Sequence, residues 1–175
     1  MTDPHVLGDG LAPTPFTADE IRAGCPDGHR VLVRTVRTSE RAGEPTFHVS
    51  GFEDGDAEGV TITSTPADTT GRPTGDARRT RVTWLDLQRH AAFPAADATV
   101  ATERIRLEIG ERDRLRYEVA GPEGVSTFWF ALEHPGMPVR YATPGFAAET
   151  IAFPPASPET APVHRVAPGE RGRQT

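Results

Sequence analysis

The sequence predicts a mainly β fold: a single curved antiparallel sheet, an open or closed barrel of about eight strands, with two short helices. Three observations carry that expectation. From residue 29 onward, apolar and polar residues alternate in run after run, the period of a strand with one buried face. Short turns rich in Gly and Pro separate the later runs, and a short turn makes neighbouring strands antiparallel. The length of 175 residues fits one domain.

Residues 1–15 are rich in Gly and Pro and read as an extended arm. Thr17-Ala18-Asp19-Glu20 is a capping box, in which the Thr hydroxyl and the Glu carboxylate each satisfy a helix-end amide. With Gly24 as the stop, a helix of about two turns is expected over residues 18–23. Strands rich in Val and Thr follow at 29–38, 45–53 and 59–65, the last two joined by the acidic turn Asp54-Gly55-Asp56-Ala57-Glu58. Residues 66–77, with many Thr, Gly and Pro, are expected to form a long loop. After a short strand at 79–83, Trp84-Leu85-Asp86-Leu87-Gln88-Arg89-His90 reads as a helix capped by Thr83 and stopped before Pro94. Further strands are expected at 100–109, 115–120, 125–132, 139–143 and 147–153, with turns at 110–113 and 121–124. The β domain then spans 16–153. The tail 154–175 holds Pro154, Pro155, Pro158, Pro162 and Pro168 with few large apolar residues, and is expected to be disordered.

Leu115, Tyr117 and Val119 alternate with Arg114, Arg116 and Glu118, and Ile105, Leu107 and Ile109 alternate with Arg104, Arg106 and Glu108. The expectation is that the apolar sets share the buried face. A lattice of Arg and Glu is then left on a solvated outer face, each pair contributing a few tenths of a kcal/mol.

The composition excludes more than it selects. The chain has no Lys and no Asn, so all 19 basic residues are Arg, which fits a very GC-rich genome. Without Lys there is no Walker phosphate loop, Schiff base or pyridoxal cofactor. A net charge of -6 disfavours nucleic acid and anionic membranes as partners. The single Cys25 cannot form an internal disulfide, which suits a reducing compartment. The N-terminal residues lack the pattern of an export signal, and no apolar run is long enough to span a bilayer, so a soluble cytoplasmic protein is expected.

Few residue constellations point to chemistry. In Cys25-Pro26-Asp27-Gly28-His29 an imidazole lies four residues from a thiol, but the thiol follows a helix C-terminus, whose negative dipole end raises its pKa. A small buried thiol in a turn is expected there. The acidic run from Glu53 to Glu58 lacks the spacing of a calcium loop and reads as a hairpin turn. His5, His29, His48, His90, His134 and His164 are scattered without ligand spacing, so no metal and no cofactor is expected. The most distinctive stretch is Thr127-Phe128-Trp129-Phe130, followed after a short polar segment by Pro135-Gly136-Met137-Pro138-Val139-Arg140. Strand alternation puts Phe128 and Phe130 on one face and Trp129 on the other.

That strand ending in Trp-Phe, followed by Pro-Gly-Met-Pro-Val-Arg, resembles the late meander of bacterial open-barrel proteins related to LolA and LprG, and of a related family of unknown function. The resemblance extends over residues 79–139 and assigns no residue a role. It implies a curved antiparallel sheet folded over helices, often enclosing a lipid or another apolar ligand.

The function expected from the sequence is binding of a small apolar ligand in a sheet-lined cavity, without catalysis. Candidate wall residues are Trp84, Tyr117, Phe128, Trp129, Phe130 and Tyr141, of which only one parity of each strand can face inward. Two alternatives stand beside it. One is a small barrel enzyme of cyclase or isomerase type, with Glu103, Glu118, His48 or His134 as acid/base groups. The other is an interaction module engaging a partner through its tail or an open sheet edge.

Overall fold

Nine strands pair into one antiparallel sheet in the computed structural model, which describes residues 3–38 and 43–155. They are β1 (Arg30–Arg37), β2 (Thr46–Glu53), β3 (Gly59–Ala67), β4 (Arg78–Thr83), β5 (Ala98–Leu107), β6 (Gly110–Gly121), β7 (Gly124–Phe130), β8 (Arg140–Thr143) and β9 (Phe146–Ala152). Helix α1 (Ala18–Gly24) precedes β1, and α2 (Trp84–Arg89) lies between β4 and β5. Across the sheet the order is β4-β3-β2-β1-β9-β8-β7-β6-β5. Two meanders, β1 to β4 and β5 to β9, are therefore joined along β1 and β9, with a bulge between Leu32 and Val33. The sheet is open. Its edges among the described residues are β4, with Arg78, Arg79 and Arg81, and β5, with Arg104 and Arg106. Charged edge strands discourage pairing with a further chain. The tail expected to be disordered lies, from residue 156, outside the described residues.

Both helices begin where their caps predict. The Thr17 hydroxyl accepts from the Glu20 amide while the Glu20 carboxylate accepts from the Thr17 amide, and the Thr83 hydroxyl accepts from the Asp86 amide. The buried Gln88 then ties three segments together. Its carbonyl oxygen accepts from the Ala18 amide at 2.9 Å, and its amide nitrogen donates to the Pro4 carbonyl at 2.9 Å and the Thr14 hydroxyl at 3.0 Å. Residues 3–16 run along the helices and the sheet, with Ala12, Thr14 and Phe16 buried. One face of the sheet carries the main core: Phe52, Val60, Tyr117 and Phe130 from the strands, packed against Phe16, Ile21 and Trp84.

The two faces are not divided as the alternation in β5 and β6 led us to expect. Their turn is the two residues 108 and 109, not 110–113, and the register pairs Leu107 with Gly110, Ile105 with Arg112 and Arg104 with Asp113. Odd positions of β5 thus share a face with even positions of β6, because a side chain's face alternates with every residue. Ile105 and Leu107 lie on the side of Arg112 and Arg114, opposite Leu115 and Tyr117. Leu107 packs there with Ala131 and Val139 in a second, smaller cluster. The Arg/Glu lattice is divided accordingly. Arg104 reaches Glu111 and Asp113 at 3.3 Å each on one face, and Arg116 lies 3.8 Å from Glu103 and 3.5 Å from Glu118 on the other.

Candidate ligand cavity

Strand alternation in β7 turns Phe128 and Phe130 to the helix-bearing face, and the register sets Phe128 between Tyr117 of β6 and Tyr141 of β8. Phe93, which follows α2, stacks on Phe128 with centroids 5.1 Å apart and planes at 24°, and Phe128 stacks on Tyr141 at 6.2 Å and 20°. Phe130 meets Tyr117 and Phe16 edge to face, with centroids 5.5 and 6.1 Å apart. Such parallel and edge-on contacts each contribute about 0.5–1.5 kcal/mol beyond area burial. Over this aromatic wall close Ile21 of α1 and Leu87, His90 and Ala91 at α2, with Phe52 of β2 beneath and Gly136, Met137 and Pro138 at the side. They line a cavity of about 250 Å³ that opens to solvent on one side. Its polar side chains are Tyr141, whose hydroxyl makes no hydrogen bond among the described residues, and His90, exposed at the mouth.

The loop between β7 and β8 is pinned where it forms the wall. The buried Cys25 thiol donates to the Pro135 carbonyl at 3.2 Å. Gly136 has φ +133 and packs so closely that a Cβ would sit 2.8 Å from the Cys25 sulfur, so glycine is required on both counts. Glu133 is bound to the buried guanidinium of Arg114, and His134 packs on Phe153 at 4.3 Å. Burial pushes the Cys25 thiol up to about 12, which keeps it protonated.

Of the six wall residues expected from the sequence, Phe128, Phe130 and Tyr141 come together in this cavity. Tyr117 stands behind them, 1% exposed, with its hydroxyl donating to the Pro13 carbonyl at 2.7 Å and its pKa pushed up to about 12 by burial. Trp84 is a core residue off the cavity wall: its indole N–H donates to the Asp56 carbonyl at 2.9 Å, fastening α2 to the acidic hairpin. Trp129 lies on the opposite face, as parity requires, donating to Glu103 at 2.7 Å beneath the Arg140 guanidinium, 5.1 Å from its ring. The acid/base candidates are dispersed. Glu103 is bound to Trp129 and Glu118 lies beside Arg116, while His48 sits half-buried on β2 and His134 on Phe153; none lines the cavity.

The residues missed from the sequence are Ile21, Phe52, Leu87, His90, Ala91, Phe93 and the Gly136–Met137–Pro138 wall. For α2 a pattern existed: Trp84, Leu87, Gln88 and Ala91 fall at i, i+3, i+4 and i+7, one face of a helix.

A second, polar hollow of about 570 Å³ opens on the other side of the sheet between Asp27, His29, Glu53, Asp54 and Thr63. Its acids are engaged locally: Glu53 and Asp54 pair with Arg79, and Asp27 accepts from the Gly55 amide at 2.7 Å. Among the described residues no three His, Cys, Asp or Glu side chains converge as metal ligands would. The acidic run forms the expected hairpin turn, in which Asp56 accepts from the Glu58 and Gly59 amides at 2.8 and 2.9 Å. No helix among the described residues is long and apolar enough to cross a membrane. No protein-family model, curated protein or solved structure matches the chain.

The buried titratable groups set a pH window for stability. Burial lowers His29 and His48 below the ordinary 6.5, and for His29 the nearby His134 adds to the effect. The unfolded chain then binds protons that the native chain refuses, so this contribution is intact above pH 6.5 and lost as pH falls through the lowered values. Cys25 and Tyr117 act at the other end: the native chain holds both protons to about 12, the unfolded chain releases them near 9.0 and 10.0. Stability present below those values is lost as pH rises toward 12. Urea denaturation midpoints are expected to peak near pH ~7.5 and to fall toward both pH ~5 and pH ~11. A profile flat from end to end would contradict the burial of these four groups.

Proposed function

We propose that the protein binds a small apolar molecule in the cavity between the helices and the β7–β8 wall, without acting on it chemically. The observation that carries this is the convergence of Phe93, Phe128, Phe130 and Tyr141 on one hollow of about 250 Å³ lined mostly by apolar side chains. A largely preformed apolar concavity with few polar groups is the usual form of a small-molecule site. Glu103, Glu118, His48 and His134, the acid/base groups of the alternative enzyme reading, all lie away from the cavity. The likeness of the Trp-Phe strand and the Pro-Gly-Met-Pro-Val-Arg turn to LolA and LprG supports the same plan, a curved sheet over helices holding an apolar guest. A single cysteine without a disulfide partner fits a reducing, cytoplasmic setting.

The test is calorimetric titration with benzene, a flat apolar probe smaller than this cavity that enters apolar cavities of about 150 Å³. One saturable site per chain is expected, lost in Met137→Trp, which plugs the mouth from a position 37% exposed and so tolerant of a larger ring. Unsaturable uptake, equal in both chains, would refute it.

A further inference from the structure

We propose that the occupant of the cavity is a compact, flat aromatic molecule of about ten to twelve heavy atoms bearing one hydroxyl or carbonyl group, and not a long-chain lipid. This rests on the cavity being the ligand site and adds the class of ligand. Size is the first ground. A protein cavity of about 150 Å³ takes one benzene, about six heavy atoms, so by proportion the volume here suits about ten. A two-ring aromatic meets that, whereas hexadecanoate, with about eighteen heavy atoms, would leave much of its chain in water.

Shape is the second. Phe93, Phe128 and Tyr141 form a row whose successive planes differ by only 24° and 20°. Rings stacked on one another turn their faces to each other and their edges outward, and the edge is the positive part of the ring quadrupole. Such a row attracts the face of a further ring, or an oxygen lone pair, more than a saturated chain. The third ground is the Tyr141 hydroxyl. Gln88, Tyr117, Trp84 and Trp129 all have hydrogen-bond partners within the protein. Tyr141, half-buried at the cavity wall, has none among the described residues. Its hydroxyl is open to solvent and not a buried unpaired group, so it can donate to a ligand oxygen in place of water.

The experiment titrates the full chain and its Tyr141→Phe variant with 2-naphthol, naphthalene and hexadecanoate. The expected result is one site for 2-naphthol, at least about tenfold tighter than hexadecanoate. Tyr141→Phe keeps the ring and removes the hydroxyl, so it should weaken 2-naphthol about three- to tenfold and leave naphthalene unchanged. Tighter binding of hexadecanoate, or equal weakening of naphthalene and 2-naphthol in the variant, would overturn the assigned ligand class while leaving the cavity a ligand site. If benzene and all three compounds fail to bind, the cavity is no ligand site and the assignment falls with it.

Discussion

Phe52→Ala is expected to destabilise the protein by about 3–5 kcal/mol, the range for deleting a buried phenyl ring and leaving its space partly unfilled. Phe52 is 1% exposed and belongs to the main core with Ile21, Val60, Trp84 and Tyr117. The site cannot collapse readily, because its neighbours come from β3, β6 and both helices, each fixed by its own ladder or cap. Phe52 also lines the apolar cavity, so the deletion enlarges a hollow that already exists. Urea denaturation measures the loss. A cost below about 1 kcal/mol would mean that the ring is not packed as described. Leucine at the same position should recover a large part of the stability, since it refills most of the volume.

Trp84→Ala is expected to be comparably damaging, again about 3–5 kcal/mol, and for a reason separate from ligand binding. Trp84 is 5% exposed at the first turn of α2, and its indole N–H holds the Asp56 carbonyl. Losing it empties the core beside Phe52 and frees α2 from the β2–β3 hairpin. Trp84→Phe separates the two contributions: it retains most of the apolar volume and drops the hydrogen bond, at about 1–2 kcal/mol. Because Trp84 stands off the cavity wall, benzene should bind Trp84→Phe as it binds the unaltered chain. Loss of binding there, with the fold retained, would return Trp84 to the site.

The local architecture was legible wherever one segment decides it. Both helix starts follow from Thr17 and Thr83, and the strands follow from two-residue alternation and its turns. The division of Phe128 and Phe130 from Trp129 is a property of any strand, so half of the aromatic wall could be read from β7 alone. What escaped depends on register and on distant segments. The two-residue turn at 108 and 109 sets the apolar sides of β5 and β6 on opposite faces, which neither strand's pattern reveals by itself. The pairing of β1 with β9 joins residues more than a hundred positions apart and has no local sign. Ile21, Phe52, Leu87 and Met137 meet at the cavity only through that topology. Trp84 illustrates the converse: a large ring before an amphipathic turn fits a ligand wall and a helix anchor equally well, and only the Asp56 carbonyl decides between them.

The most direct measurement is a benzene titration of the full chain followed residue by residue by NMR, where the ring current of a bound benzene shifts the signals of whatever it touches. The predicted result is saturable shifts concentrated on Ile21, Leu87, Ala91 and Met137, with Leu32 and Val49 on the other side of the sheet unmoved. Shifts centred on Leu32 and Val49, or no saturable shift at Ala91 and Met137, would contradict the assignment of this cavity as the binding site.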